Sequence, residues 1–329
     1  MIVVIGASSF IGTYLVDALV KSGKEVFATA RSPRYEKYYR DRGISFARFD
    51  LSRKEDIALL PTSGVEAVVL LAAMLPANMA GEEDPYKYID ANITGTLNVL
   101  EYCRKNNIRK LISTTSYADL KGHWGEGRPV GDDELRSYEL SGDHAVYVIS
   151  KNAAADLIEY YNNSYGMSGC VFRFPPVYGV GPHSVLYADG VMRKSGFQIF
   201  IDKALAGEDI EIYGDDVYRD IVYIDDVVDA FIAALESPRA KGMYNIMSGE
   251  STTLEEQAQA VVDVFSKPGG PRSKIIRRRD IPNGCSSYSF SIEKARRDFG
   301  YAPKYVPFRK LVEAYKEELD NPRFKELFK

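Results

Sequence analysis

Across its first 175 residues the chain alternates short β-rich runs with longer helix-like stretches, and that alternation narrows the fold more than any other feature. Candidate strands are residues 2–5, 25–30, 44–49, 66–72, 109–114 and 169–174, and candidate helices are 10–22, 84–107 and 143–165. Strands separated by helices read as βαβ units, whose parallel sheet is covered by helices on both faces. The run Val65 to Ala73 is nearly all apolar, as a central strand buried on both faces requires. The fold class expected is therefore α/β with a doubly wound parallel sheet. After residue 175 the rhythm changes. Pro175-Pro176 and Gly179-Val180-Gly181-Pro182 break the pattern, and shorter mixed elements follow, among them a strand and a helix over Arg219 to Ser237. A length of 329 residues suits two modest domains. We expect one domain of residues 1–175 plus about 219–240, and a smaller α+β substrate lobe of about 176–218 and 241–329.

The first strand–helix joint, Val3-Val4-Ile5-Gly6-Ala7-Ser8-Ser9-Phe10-Ile11-Gly12, carries a glycine directly after the strand and another inside the helix. Gly6 permits a tight turn and Gly12 permits close helix–sheet packing. The N-terminus of the helix, from Ser9 through Phe10 and Ile11, offers backbone N–H groups and a positive dipole end to a pyrophosphate. Ser9 stands where a middle glycine is expected. The position of this turn at the start of an alternating α/β chain reads as a Rossmann nucleotide site. The second strand ends Ala28-Thr29-Ala30-Arg31-Ser32-Pro33-Arg34 without the carboxylate that would hold an NAD ribose. Arg31, with Ser32 or Arg34, could instead hold a 2′-phosphate through charge-assisted hydrogen bonds, so NADP is preferred to NAD. Asp50, after the third strand, could meet the adenine amino group or could cap a helix.

Formal net charge is −4, so no overall basic field draws in nucleic acid. No apolar run approaches the roughly 20 residues needed to span a bilayer, and no membrane partner is expected. Met1 runs straight into the first strand, leaving no room for a cleavable leader. Cys103, Cys170 and Cys285 match no metal-ligand spacing, so no metal is expected and the thiols read as reduced, in a cytosolic protein.

Tyr147 and Lys151 stand four apart in a helical stretch and so share one face, about 6 Å apart along the axis. A tyrosine with a pKa of about 10 is a poor base at neutral pH. A nearby ammonium and the positive ring of an oxidised nicotinamide both favour the phenolate. Bringing that pKa down to about 7 takes roughly 4 kcal/mol of differential stabilisation. A second Tyr-x-x-x-Lys match, Tyr117 and Lys121, follows the fifth strand too closely and reads as loop. That strand ends in hydroxyls, Ser113-Thr114-Thr115-Ser116, well placed to hydrogen-bond a reacting oxygen, although strand-end capping is their plainer use.

Taken in order, further motifs carry a resemblance: Asp50-Leu51, Leu71-Ala72-Ala73, Asn92-Ile93-Thr94-Gly95, Arg173-Phe174-Pro175-Pro176-Val177-Tyr178-Gly179, Ile212-Tyr213-Gly214-Asp215, Arg219-Asp220-Ile221-Val222-Tyr223 and Ser291-Ile292-Glu293-Lys294-Ala295-Arg296. With the glycine turn and Tyr147-x-x-x-Lys151, the chain resembles the extended short-chain dehydrogenase/reductases over nearly its whole length, and among them the nucleotide-sugar epimerase/dehydratase group. The resemblance implies a catalytic set of Thr115, Tyr147 and Lys151, with Ser116 the runner-up hydroxyl. It implies a cofactor lined by Asp50, Leu51, Leu71, Ala72, Ala73 and Asn92, the last of which could alternatively cap a helix. It implies a nucleotide-linked sugar as substrate, gripped at its diphosphate by Arg219 and touching Thr115 and Ser116. Arg277-Arg278-Arg279 is either a second phosphate contact or a solvated basic turn. Helices 84–107 and 143–165 resemble those that pair two subunits, so a homodimer is implied.

Three departures bear on activity. Dehydratases of this group carry Thr-Asp-Glu at the strand end, whereas Thr115 is followed by Ser116 and Tyr117, which removes the acid that water elimination needs. Pro176 replaces an asparagine that often contacts substrate, and the usual Tyr-Gly after the hydroxyl strand is absent. The segment 118–142, with His123 and Trp124, is individual to this chain and reads as a cover for the site. His183 is either an acid/base or polar surface. The leading expectation is an epimerase that oxidises a hydroxyl and reduces the ketone on its other face. An NADPH-dependent ketoreductase is the alternative, favoured by Arg31 and Pro176. A non-catalytic NADP-sensing module is the third, and predicts loss of a tyrosine or lysine that this chain retains.

Overall fold

The computed structural model describes residues 1–327 apart from 77–83, 143, 182–184 and 189–190. Its centre is a seven-stranded parallel sheet built from β1 (Ile2–Ile5), β2 (Val26–Ala30), β3 (Ser45–Arg48), β4 (Ala67–Leu70), β5 (Lys110–Ser116), β6 (Ser168–Phe174) and an edge strand, Gly242–Asn245. Across the sheet the order is edge strand, β6, β5, β4, β1, β2, β3. The chain therefore winds outward from β1 to β3, returns to β4 and winds the other way. That reversal opens a crevice at the carboxyl ends of β1 and β4, where ligands of doubly wound folds bind.

Alternation along the strands builds two cores. Ile2, Val4, Val69, Ile112 and Phe172 face one side, while Val3, Ile5, Val68, Leu70, Leu111 and Val171 face the other. The first face is covered by α1 (Phe10–Lys21) and the helix Ile224–Glu236, the second by α4 (Gly95–Lys105) and α5 (Ala145–Tyr165). The α/β expectation and its six strands hold. Gly242–Asn245, assigned in sequence to the second lobe, instead pairs with β6 and extends the sheet.

The stretch 84–107 is not one regular helix. Asp84 caps α3 (Pro85–Tyr88), a π-helical segment spans Ile89–Thr94, and α4 follows after α2 (Arg34–Arg40) and the strands between. The wider turn carries Asn92, whose amide is bonded outside the helix, and such π turns concentrate at functional sites. The Tyr117–Lys121 pair lies in a short 3-10 segment, Tyr117–His123, rather than in open loop. Beyond the sheet, helices Gly196–Ala206, Leu254–Phe265 and Phe308–Asp320 pack together beside the parallel strand pair Ile210–Tyr213 and Ile275–Arg278.

Candidate functional site

The turn after β1 is fixed by close backbone contact. Gly6 has φ +94°, and a Cβ there would lie 2.5 Å from the Ala72 nitrogen. The N–H groups of Leu71 and Ala72 both donate to the Ile5 carbonyl, which ties the β1 and β4 ends together. A Cβ on Gly12 would lie 2.3 Å from the Gly6 oxygen, so α1 can enter the turn only with glycine there. Ser9 is the N-cap of α1, its hydroxyl accepting the Gly12 N–H at 3.0 Å. The serine at the unexpected position thus shapes the helix start. Phe10 is buried, and Cβ atoms on Gly179 or Gly181 would strike its ring. Ile11 is half-buried at the same helix end.

On the rim, Arg31 is exposed at the end of β2, and Arg48 on β3 donates its Nε–H to the Arg31 carbonyl at 3.0 Å. Arg34 is drawn off: its guanidinium donates to the Leu327 carbonyl in the C-terminal tail. Asp50 accepts from the Ser52 N–H and hydroxyl with one oxygen, so it caps a turn. Leu51 is buried, and a Cβ on Gly95 would collide with it. Ala73 is half-buried in the loop after β4. Asn92 is buried but is no helix N-cap. Its Oδ1 accepts the Met74 N–H at 2.7 Å, and its Nδ2 donates to the Met74 carbonyl and the Ser150 hydroxyl. It clamps the Leu71–Met74 loop to α5.

Thr115 is buried near the end of β5 and lies in register with Arg173 on β6. Ser116 caps the following 3-10 segment by accepting the Ala118 N–H. Tyr147 and Lys151 lie one turn apart on α5, which packs on β5 and β6. Lys151 is 6% exposed, and burial alone pulls its ammonium down from 10.5 to about 8. It has no carboxylate partner among the described residues. On Tyr147 the fold by itself acts against the phenolate. Burial pushes its phenol above the usual value, and the charges of Tyr88 and Asp119 push the same way.

Asp119 is a residue that sequence reasoning missed. It is fully buried, and Arg173 holds it in a two-pronged bridge, Nε to Oδ1 at 2.8 Å and Nη2 to Oδ2 at 2.9 Å. Arg173 Nη1 also donates to Asn245 Oδ1 and the Asp132 carbonyl. A buried pair of this kind is tolerated only when its remaining hydrogen bonds are met, as they are here. It locks the start of segment 118–142 to the sheet. That segment is no free cover: the N–H of Gly125 donates to Ser287, that of Val130 to Ser289, and that of Ser291 back to Val130. His123 is held between Glu126 and the Leu135 carbonyl, and these bonds raise its pKa.

Beyond the first 175 residues, Arg219 donates from Nη2 to the Cys285 sulfur at 3.0 Å, and its Nε is buried without a partner among the described residues. Arg277 is paired with Asp216 and Glu255, and Arg278 with Asp280 and Glu211, so both are committed to structural bridges. Arg279 lines a cleft of about 320 Å³ with Asp215, Asn283 and Cys285. His183 lies outside the described residues.

Residues 2–247 match the NAD dependent epimerase/dehydratase family. The chain belongs to that family. Among its relatives is a UDP-glucuronate 4-epimerase of Thermodesulfobacterium geofontis, 29% identical over 286 residues, covering 82% of this chain and 81% of the relative. A UDP-glucose 4-epimerase of Thermotoga maritima, solved with UDP-glucose, superposes with a TM-score of 0.75 at 26% identity, covering 97% of this chain and 98% of that one. The Thermus thermophilus UDP-glucose 4-epimerase, solved with NAD, gives 0.75 at 26% identity, covering 98% and 99%. The glycine turn, Thr115, Tyr147, Lys151, Arg173 and Arg219 all fall within the matched span of the family. Among the described residues no helix is long and apolar enough to cross a membrane.

Proposed function

We infer that this member of the family is an epimerase of a nucleotide-linked sugar that works by transient oxidation, with Thr115, Tyr147 and Lys151 as its reacting set. The observation that carries this reading is Lys151. A buried ammonium without a counter-ion is a cost to the fold, so its place one turn from Tyr147 calls for a use other than stability. The residues present suit a dinucleotide: Gly6 and Gly12 keep the turn free of side chains, and the α1 N-terminus faces the crevice. Arg31 beside Arg48, with no carboxylate at the β2 end, favours the 2′-phosphate of NADP, although the Thermus thermophilus relative was solved with NAD.

The nicotinamide, when bound, supplies the oxidising and then the reducing equivalents. Tyr147 takes the proton of the sugar hydroxyl as that carbon is oxidised and returns it once the ketone presents its other face. Lys151 supplies the positive charge that offsets burial and favours the phenolate in the first half. Thr115 donates a hydrogen bond to the same oxygen and holds it in place. Arg219 binds the diphosphate and fixes the sugar's anchor while the ring turns over. A homodimer through α4 and α5 completes the reading.

Incubation with UDP-glucose and UDP-glucuronate, followed by proton NMR, should show the C4 epimer of at least one. Tyr147→Phe should cut that turnover by roughly 10²–10⁴ while leaving folding intact. Full activity in that variant would sink the acid/base assignment. The NADPH-dependent ketoreductase remains the second reading because Arg31 favours NADP and Pro176 replaces the asparagine that the resemblance places against substrate. It predicts one NADPH oxidised per product and no epimer.

A further inference from the structure

On the second face of the sheet α5 packs on β5 and β6, and the edge strand Gly242–Asn245 beyond them is left open. Tyr161 of α5 bonds Glu101 of α4, so the flank of α5 that carries Ala155, Glu159 and Asn163 turns the other way, toward the sheet edge. Between that flank, β6 and the edge strand lies a cleft of about 530 Å³, the size of pockets that take small molecules. Its apolar bed is Ala155, Ile158, Val171 and Met243. The cleft lies apart from the crevice at the carboxyl ends of β1 and β4: neither the glycine turn nor Thr115, Tyr147 or Lys151 lines it.

The charges around this cleft sort into pairs with a remainder. Asp133 is bridged to Lys294, Asp156 to Arg136 and Glu134 to Arg128, while the Arg173 guanidinium belongs to Asp119. Asp132, Glu159 and Lys241 are left without an ionic partner among the described residues, two carboxylates against one ammonium. Asp132 is the deep one. It is 7% exposed, and its Oδ1 accepts the Asn245 N–H of the edge strand. No donor reaches its Oδ2 among the described residues, and that oxygen is not sealed in the interior. Burial outweighs the charges of Lys294 and Arg173 and pushes the carboxyl up to about 6. At neutral pH it is still mostly ionised but poorly solvated, so a cation seated against Oδ2 gains both direct attraction and a charge-assisted hydrogen bond.

A metal ion fits poorly. It needs several oxygen ligands, and among the described residues no three carboxylate, histidine or cysteine side chains gather to hold one. An alkylammonium needs one strong acceptor and an apolar bed for its chain, and the cleft offers both. We propose that this cleft binds a small aliphatic amine, with its ammonium on Asp132 Oδ2 and its chain along Ala155, Ile158, Val171 and Met243. The site is separate from the crevice and does not depend on the epimerase reading.

Calorimetric titration of the full chain with hexylamine, hexanol and hexanoate separates the charge from the chain. We expect saturable binding of the amine, and binding of the alcohol and the acid weaker by roughly tenfold. Asp132→Asn keeps an oxygen for the Asn245 N–H and removes the charge. It should weaken the amine by roughly tenfold with the melting temperature retained. Met243→Lys places an ammonium on the wall of the cleft and should abolish amine binding by a route that leaves Asp132 intact. Saturating UDP-glucose and NADPH should leave the amine affinity unchanged. Displacement by either would put the amine in the crevice and overturn the inference. So would native affinity in Asp132→Asn or in Met243→Lys, equal binding of amine and alcohol, or no saturable binding of the amine.

Discussion

Lys151 is where fold and function pull against each other. With its pKa near 8 in the fold and 10.5 when exposed, it releases its proton over a range where the unfolded chain still holds one. Stability from this group therefore rises as pH climbs from about 8 to about 10.5, because the unfolded state binds more protons there. The charge that supports the Tyr147 phenolate is lost over the same rise. Turnover should accordingly fall on the basic side with an apparent pKa close to 8, while thermal stability does not fall in step. A pH profile of kcat measured beside melting curves checks this, and a flat profile from pH 7 to 10 (roughly the window in question) would remove Lys151 from the mechanism. At this scale the sequence showed what is local. Tyr147 and Lys151 are one helical turn apart, and Gly6 and Gly12 bracket one turn, so spacing exposes them. Asp119 and Arg173 are 54 positions apart, and no periodicity links them. The upward push that the fold alone exerts on Tyr147 has the same origin: spacing supplied the lysine, but burial and Asp119 come from distant parts of the chain.

Among the elements, the β1–α1 joint was read nearly to the residue because its demands are stereochemical. Gly6→Ala makes a sharp test. The new Cβ meets backbone at 2.5 Å in a positive-φ conformation, so neither a rotamer change nor a small shift relieves it. We expect a loss of roughly 1–3 kcal/mol in stability, seen as a lower melting temperature, together with loss of dinucleotide binding by calorimetry. Native-like binding in that variant would contradict the role given to the turn. The break in helix 84–107 was not legible, since a π turn there depends on Asn92 reaching the Met74 backbone across the crevice. Arg34, one of two possible helpers to Arg31 at a phosphate, is committed elsewhere for a similar reason: the C-terminal tail, nearly 300 residues later, takes its guanidinium.

For the whole molecule, the two lobes are joined by more than covalent crossings. The segment from Gly125 to Val130 runs along Ser287 to Ser291, and Phe324 of the tail packs on Tyr14 of α1 at 4.7 Å. Such ties suit a site assembled from both lobes. Leu97 on α4, Ile149 on α5 and Ile89 in the adjoining π-helical segment remain 38%, 37% and 39% exposed. These exposed apolar groups on adjoining elements suit the proposed homodimer. Sedimentation should give twice the 36.8 kDa chain mass, and Leu97→Glu with Ile149→Glu should return a monomer. A native chain that stays monomeric at micromolar concentration would dismiss it. The central claim is a redox cycle that closes on itself, since an epimerase returns to the sugar what it removes and has no need to exchange its cofactor. The most direct measurement is to denature the purified protein and quantify released dinucleotide by mass spectrometry. The account predicts nearly one dinucleotide per chain, carrying the 2′-phosphate that Arg31 favours. A protein purified empty, and stabilised only when NADPH is added, would contradict the closed cycle and make the chain an exchanging reductase.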